Sequence, residues 1–388
     1  MPAGHADTAR GRIDALVASG NVPAAGLVVV RNGETIFAHA AGLARGAAGE
    51  SPPLPFETST MMRVASVSKL ATALTAHRLA EAGAIDLDAD ISKAFKASLR
   101  HPAFPDSEVT LRHLLSHTAG LEDPDAYWIA SPQPIDALFV PGMWRAAAYG
   151  PPGAGFRYSN FGYGLAGTLL ERASGERFDR LAQRLVLGPI GLSAGFNWSG
   201  VRQADQARGA SLYRREGARW QIATDGPGVL DSGAPQVMLE AGFPLASYSP
   251  GTNGTLFSPQ GGLRASLADL CRLARETAKV GALVRPSWRS RPDPRNGDTE
   301  DGYFAAFSEG AQIHESQASP LPGFELIGHP GEAYNLFCGA WHVPRLGAQF
   351  AYAVTGTPDA TPAVSDLHPS ANIFTAALFS AARDVLRV

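Results

Sequence analysis

At 388 residues the chain is too long for one simple core, so a domain with a large insertion, or two lobes, is expected, and its 45% hydrophobic and 18% charged content is that of an ordinary globular protein. A net charge of -3 with no basic tract leaves no footing for nucleic acid or an anionic membrane, and no apolar run reaches transmembrane length. The opening MPAGHADTARGRIDAL lacks the apolar centre of a signal peptide. As it stands the chain reads as cytoplasmic, or as periplasmic or secreted if a signal peptide has been removed. Cys271 and Cys338 are far apart in apolar surroundings and read as buried free thiols.

Residues 5–19 read as a helix with Ile13, Leu16 and Val17 on one face and Gly20 as its stop. A hairpin follows, Ala25 to Val30 and Thr35 to Ala41 about the turn Asn32-Gly33. A Gly/Ala/Pro-rich loop, 42–60, leads into Met61 to Gly83, where Val67, Leu70, Ala71 and Leu74 recur at helical spacing. Leu111 to Leu121 reads as a short helix ending at Gly120, and 122–156 as a Pro-rich irregular stretch. Phe161 to Gly175 and Phe178 to Leu187 read as two more helices, and 193–258 as cap loops, a length usually found in functional walls or lids. Ser266 caps a helix to Val280 with Leu267, Leu270, Leu273 and Ala274 inward. The proline-bearing cluster Arg285 to Arg295 reads as a solvated loop. Strand-like runs at 303–308, 323–328, 333–341 and 348–355 precede a closing helix, 371–386.

The pattern predicts an α+β fold, with an antiparallel sheet flanked by helices. Residues 1–85 and 261–388 would form the sheet lobe, 86–260 a mainly helical insertion, and a cleft would lie at the join.

Ser66 and Lys69 stand at the start of the Met61 to Gly83 helix, one turn apart on one face. A hydroxyl at a helix N-terminus gains from the dipole any negative charge it acquires, and a neutral amine one turn on can take its proton. Lysine is scarce: the others are Lys93, Lys96 and Lys279, and every further cationic side chain except histidine is an arginine, which cannot give up a proton. Bringing a lysine from ~10.4 to near 7 takes about 4 to 5 kcal/mol, so a base shared with a second group is expected. Tyr158, in FRYSNFGYGLAG, is a candidate for that group, its proton affinity lowered beside an ammonium. Asn160 offers a donor and an acceptor to bridge Lys69 and a substrate. His329-Pro330-Gly331 offers a facing wall, with Gly331 letting a substrate backbone approach and the amide of Glu332 aimed at an oxyanion.

With these motifs in this order, and with LLSHTAGL at 114–121 and GGLRASLADL at 261–270, the chain resembles the penicillin-recognising serine hydrolases. The branch is the one holding class C β-lactamases, D-alanyl-D-alanine carboxypeptidases, D-aminopeptidases and β-lactamase-like esterases. The resemblance implies Ser66 as nucleophile, Lys69 as base or base partner, Tyr158 as shared general base and acid, and Asn160 as polar bridge. It places His329 and Gly331 on the far wall and the oxyanion hole at the amides of Ser66 and Glu332. The implied activity is a serine hydrolase forming an acyl-enzyme on an ester or small amide, of carboxylesterase or aminopeptidase type. Alternatives are a β-lactamase or D,D-carboxypeptidase proper, or a non-catalytic penicillin-binding sensor.

His329 stands where true β-lactamases carry a lysine, which removes the anchor for a substrate carboxylate. Glu332 would repel anionic substrates and welcome a cationic amine if it faces the cleft, and has no role if it faces solvent. No cofactor or metal is expected: His113 and His117 have ligand spacing but no third partner. Gly162 to Gly167 matches a dinucleotide fingerprint without a preceding strand, so helix packing accounts for it. Tyr127, Trp128, Trp144 and Trp220 are candidates to wall the cleft. The expected partner is a small-molecule ester, amide or short peptide, with neither nucleic acid nor membrane, and the oligomeric state stays open.

Overall fold

The computed structural model describes residues 3–95, 97–217, 219–232, 237, 239–359 and 368–387. Its strands, in chain order, are β1 (Ala24–Arg31), β2 (Glu34–Arg45), β3 (Leu54–Pro55), β4 (Met62–Arg63), β5 (Leu212–Glu216), β6 (Arg219–Thr224), β7 (Arg264–Ala265), β8 (Trp288–Arg289), β9 (Ala306–Phe307), β10 (Gln312–His314), β11 (Leu326–Ala333), β12 (Leu336–Val343) and β13 (Ala348–Thr355). The β1–β2 hairpin turns where expected, because Asn32 and Gly33 accept the left-handed conformation that a two-residue turn requires, at φ 52 and 86.

Nine of these strands form one antiparallel sheet in the order β3-β2-β1-β13-β12-β11-β10-β9-β8. The two ends of the chain meet in its middle, where Ala24 to Arg31 of β1 pair with Thr355 to Ala348 of β13. This is the predicted α+β arrangement. The helices Ala3–Ala18 and Ile373–Leu386 cover one face, sealing Ile13, Leu27, Val29, Phe350, Tyr352 and Phe379. The helices Ser68–Glu81 and Leu267–Thr277 lie on the other, with Leu70, Leu74, Leu267 and Leu270 against Val28 and Ala351. Ser266 opens the latter helix with a capping box to Asp269. No described helix is long and apolar enough to cross a membrane.

Several elements differ from their sequence pattern. The helix expected over Leu111 to Leu121 stops at Leu115, because His117 at φ 58 turns the chain away. Within 193–258, where cap loops were expected, β5 and β6 pair as a hairpin about Gly217 (φ 58). Arg214, Arg215 and Glu216 leave it no period-2 apolar signal. Residues 218, 233–236 and 238 of that span lie outside the described residues. The Arg285 to Arg295 loop contributes β8, too short at two residues to show a period. Strand β11 runs unbroken through His329-Pro330-Gly331, where two separate runs were expected. β10 pairs only with Leu326 to Gly328, so beyond that point β11 borders an open edge, a place where proline is tolerated.

Gly162 to Gly167 lie inside the helix Asn160–Ser174. A Cβ on Gly164 would come 2.7 Å from Thr255 Cγ2, and one on Gly167 would strike Pro259, so these glycines serve close packing. Both cysteines are buried free thiols.

The approach to Ser66 is tied down from outside the sheet. β4 pairs with β7, and Arg264 of β7, 1% exposed, meets Asp225 at 3.1 Å and donates to the carbonyls of Gly262 and Phe196. Asp225 also accepts from Trp198 Nε1 at 2.9 Å. Removing one charge of a buried pair exposes the other to its full desolvation cost, so Asp225→Asn is expected to lower the unfolding free energy by about 3 to 5 kcal/mol. Urea denaturation checks this, and a loss under 1 kcal/mol would show that the pair is dispensable.

Candidate active site

Ser66 lies in a single 3-10 turn, Ala65–Val67, immediately ahead of the helix Ser68–Glu81. Ala65 sits at φ 44, a left-handed conformation costly for a residue with a Cβ and typical of sites the surroundings over-determine. Ser68 holds that turn, donating its hydroxyl to the carbonyl of Ala65 at 2.6 Å and accepting the Leu263 N–H at 2.9 Å.

Lys69, the second residue of the helix, is wholly buried. Its Nζ lies 3.0 Å from Ser66 Oγ, 2.9 Å from Asn160 Oδ1 and 3.1 Å from the carbonyl oxygen of Gln260. Two of these neighbours can only accept. A neutral amine spends its two hydrogens on them and turns its lone pair to the third, the serine hydroxyl. Burial lowers the Lys69 amine from 10.5 to about 7, against the opposing pull of Asp123.

Asp123 escaped the sequence reading. It is the hub of this wall: its carboxylate accepts from Ser159 Oγ at 2.7 Å, the backbone N–H groups of Asn160 and Phe161 at 3.0 and 2.9 Å, and Asn160 Nδ2 at 3.0 Å. Those bonds orient the Asn160 amide with its oxygen on Lys69. A carboxylate at the N-terminus of the helix Asn160–Ser174 also complements its dipole. The signal in the sequence was an acid just after LLSHTAGL, a position indistinguishable from a surface loop until the fold closes.

Tyr158 hydrogen-bonds Ser66, and burial raises its phenol above the ordinary value. The expected lowering by an adjacent ammonium is corrected: Lys69 Nζ sits over the ring face, 4.7 Å from its centroid. Tyr158 therefore stays a protonated phenol, and the lone pair available to Ser66 belongs to Lys69. The ring is clamped between Phe304, stacked at 5.0 Å and 17°, and His117 at 4.4 Å. His117 accepts the Ser159 N–H on Nδ1 at 3.1 Å, and burial keeps it neutral, so its ligand-like spacing from His113 serves packing.

The facing wall is β11. His329 is 1% exposed, and its Nδ1 donates to the Pro330 carbonyl at 2.5 Å, so Nε2 is a bare acceptor, buried without a partner. Burial lowers His329 to about 3, which makes it neutral at physiological pH. Gly331 has a different reason from the one expected. A Cβ there would lie 2.5 Å from the Val64 carbonyl oxygen and 2.7 Å from Cys338 Sγ, so its bare face seats the strand against the serine turn. Glu332 lines the cleft, as do Ser66, Asn160, His329 and Tyr158, around a volume of about 500 Å³. Tyr303 and Phe304 join Tyr158 in its aromatic lining, and none of Tyr127, Trp128, Trp144 and Trp220 is part of it. Trp144 packs on His101 and Trp220 stacks under Arg215.

A buried amine between a serine and a tyrosine, faced by a strand, is an arrangement suited to acyl transfer through the serine. The chain belongs to the β-lactamase family, whose profile matches residues 9–372. It is 30% identical over 304 residues, 67% of this chain and 72% of the relative, to esterase EstB of Burkholderia gladioli. It is also 30% identical over 176 residues to penicillin-binding protein 4* of Bacillus subtilis, covering 43% of this chain and 36% of that protein. Among solved structures it superimposes on a class C β-lactamase mutant with a TM-score of 0.69 at 16% identity, covering 99% and 97% of the two chains. The D-amino acid amidase of Ochrobactrum anthropi SV3 complexed with L-phenylalanine amide gives 0.66 at 19% identity, covering 99% and 98%.

The buried lysine has a cost with a definite pH signature. Its folded value, about 7, lies below 10.5, so between these the unfolded chain holds the extra proton and stability rises with pH; below about 7 the full cost applies. Lys69→Met should thus be more stable than the wild type at pH 6, by up to about 4 kcal/mol, with the gap closing toward pH 10. Chemical denaturation across that range is the measurement, and a gap independent of pH would refute it.

Proposed function

We propose that the protein hydrolyses an ester or small amide bond through an acyl-enzyme on Ser66. The observation that carries this is the environment of Lys69: two obligate acceptors and one hydroxyl around an amine that burial holds near neutrality. Lys69 takes the Ser66 proton as Oγ bonds to the substrate carbonyl carbon, and the carbonyl oxygen becomes an oxyanion. The backbone amides of Ser66 and Glu332 receive it, a role supported by the close seating of β11 on the serine turn through Gly331 and the Cys338 thiol, which donates to the Val64 carbonyl at 3.3 Å. Tyr158, protonated and bonded to Ser66, passes its proton to the leaving group and is reprotonated from Lys69. Water, deprotonated through the same pair, then releases the acid and restores Ser66.

Esterase EstB among the relatives and the amidase among the structural neighbours support ester and amide substrates. A β-lactamase or D,D-carboxypeptidase specificity is less well served, because His329 is neutral and cannot hold a substrate carboxylate by charge. In this reading the sheet part, 1–85 with 261–388, supplies Ser66, Lys69 and the facing strand β11, and the helical insertion, 86–260, supplies Tyr158 and Asn160.

Ser66→Ala is expected to abolish hydrolysis of short-chain aryl esters, and Lys69→Arg to match it, since the guanidinium keeps the charge but cannot release a proton. Turnover retained by Ser66→Ala would end the mechanism. The wild-type kcat/KM should rise with pH along a limb near 7, where Lys69 loses its proton. Asp123→Asn removes the carboxylate that raises the Lys69 proton affinity, so the limb should move to lower pH while kcat falls about 10- to 100-fold as Asn160 loses its anchor. A limb that stays in place would confine Asp123 to a structural part.

A further inference from the structure

Close packing accounts for Gly164 and Gly167 in the stretch Gly162 to Gly167, and leaves Tyr163 unexplained. Tyr163 lies in the first turn of the helix Asn160–Ser174, three residues after Asn160 and therefore on the same face, and that face meets Lys69. Asn160 reaches the amine with Oδ1 at 2.9 Å, and Tyr163 presents its ring, with Lys69 Nζ over it at 5.3 Å from the centroid. Tyr158 presents a second ring at 4.7 Å. Lys69 Nζ is thus enclosed by three oxygens and two aromatic faces.

The Tyr163 ring is fixed in that attitude. Its hydroxyl donates at 3.0 Å to the carbonyl of Leu115, one of those that the end of the helix Leu111–Leu115 leaves without an intrahelical partner. His117 packs on it at 5.2 Å and 35°. The residue is fully buried, and burial keeps its phenol un-ionised. A leucine or methionine would fill much of the same space, but it would not turn a face of negative potential toward a cation.

Such a face has a use at this point. When Lys69 takes the Ser66 proton it becomes a buried ammonium whose three hydrogen-bond partners are all uncharged. Asp123 raises its proton affinity from behind the Asn160 amide, while His117 and His329 are held neutral by burial. Glu309, which lies toward Tyr163, is engaged by Arg112 and by His77 at 3.2 Å. A carboxylate touching the amine would hold it protonated and spoil it as a base; a ring face gives weaker support, enough to favour the ammonium without making it permanent.

We propose that Tyr163 is a positioning residue for the general base, its ring face supporting the ammonium that Lys69 becomes in each half of the cycle and so setting how readily the amine takes the Ser66 proton. The inference rests on the acyl-serine reading above.

The test is the pH profile of kcat/KM for 4-nitrophenyl butyrate, read over about pH 5 to 9, with Tyr163 replaced by phenylalanine and by phenylalanines bearing one, two and three ring fluorines. Fluorine drains the negative face stepwise and leaves the size of the ring nearly unchanged. Less support for the ammonium means that Lys69 loses its proton at lower pH, so the limb near 7 is expected to move down with each fluorine, by about one pH unit over the series. Tyr163→Phe keeps the face and gives up only the Leu115 bond, so its limb should stay within about 0.3 pH unit of the wild type. Tyr163→Leu should place the limb with the trifluorinated variant and lower the plateau about 3- to 10-fold, because the amine is a weaker base. A loosened core lowers the plateau without moving the limb. A limb that stays in place or rises along the fluorine series, or a Tyr163→Phe variant that is inactive or shifts as far as Tyr163→Leu, overturns this inference and leaves the acyl-serine mechanism standing. A wild type without a limb near 7, or with turnover that survives Ser66→Ala, overturns both.

Discussion

A fully buried amine with three oxygens within 3.1 Å is the constraint on which the rest of the site depends. In water a lysine at pH 7 is protonated and useless as a base; in a cavity that solvent does not enter, the charged form loses its hydration and the neutral form gains. Every neighbour then matters. Asn160 and Gln260 take the hydrogens, Asp123 holds the Asn160 amide the right way round, and Ser68 pins the turn that brings Ser66 to the remaining lone pair. The left-handed Ala65 is maintained by the same contacts.

The two walls of the cleft differ in the charge they carry. The wall of Lys69, Tyr158 and Asn160 is built from groups whose charge burial suppresses: a half-neutral amine, an un-ionised phenol and a neutral His117 beneath it. The other, β11 with the Glu300 loop, carries the exposed carboxylates of Glu300 and Glu332. On that wall this chain has a buried imidazole held neutral, with carboxylates beyond it.

How much of this was legible beforehand follows from range. The β1–β2 hairpin, the capped helix at Ser266 and the buried strand β13 announce themselves through neighbours a few residues away, and the Ser66–Lys69 spacing is likewise local. Tyr158, Asn160 and His329 were reached through ordered motifs. Asp123 was not, because an acid in a loop carries no periodic or spacing signal; its role appears only when the N-terminus of the Asn160–Ser174 helix lands on it. Glu300 was hidden for the same reason, and Gly331 was assigned the wrong neighbour because a missing Cβ does not say which surface has come close. The Tyr158 proton affinity was misjudged because only the fold shows how completely the phenol is buried.

The pairing of β1 with β13 also dictates when this enzyme can exist. Ala24 finds its partner in Thr355, so the central seam of the sheet joins segments more than three hundred residues apart. On a ribosome, β1 and β2 emerge long before β13, as a ribbon whose inner edge, Ala-Gly-Leu-Val-Val-Val, has nothing to pair with until Ala348 to Thr355 has been made. Through that interval the nascent chain carries an apolar strand edge open to any passing backbone, its own or a neighbour's. The architecture that brings Ser66 and His329 together thus makes synthesis, and not catalysis, the period in which this protein is most exposed to misassembly.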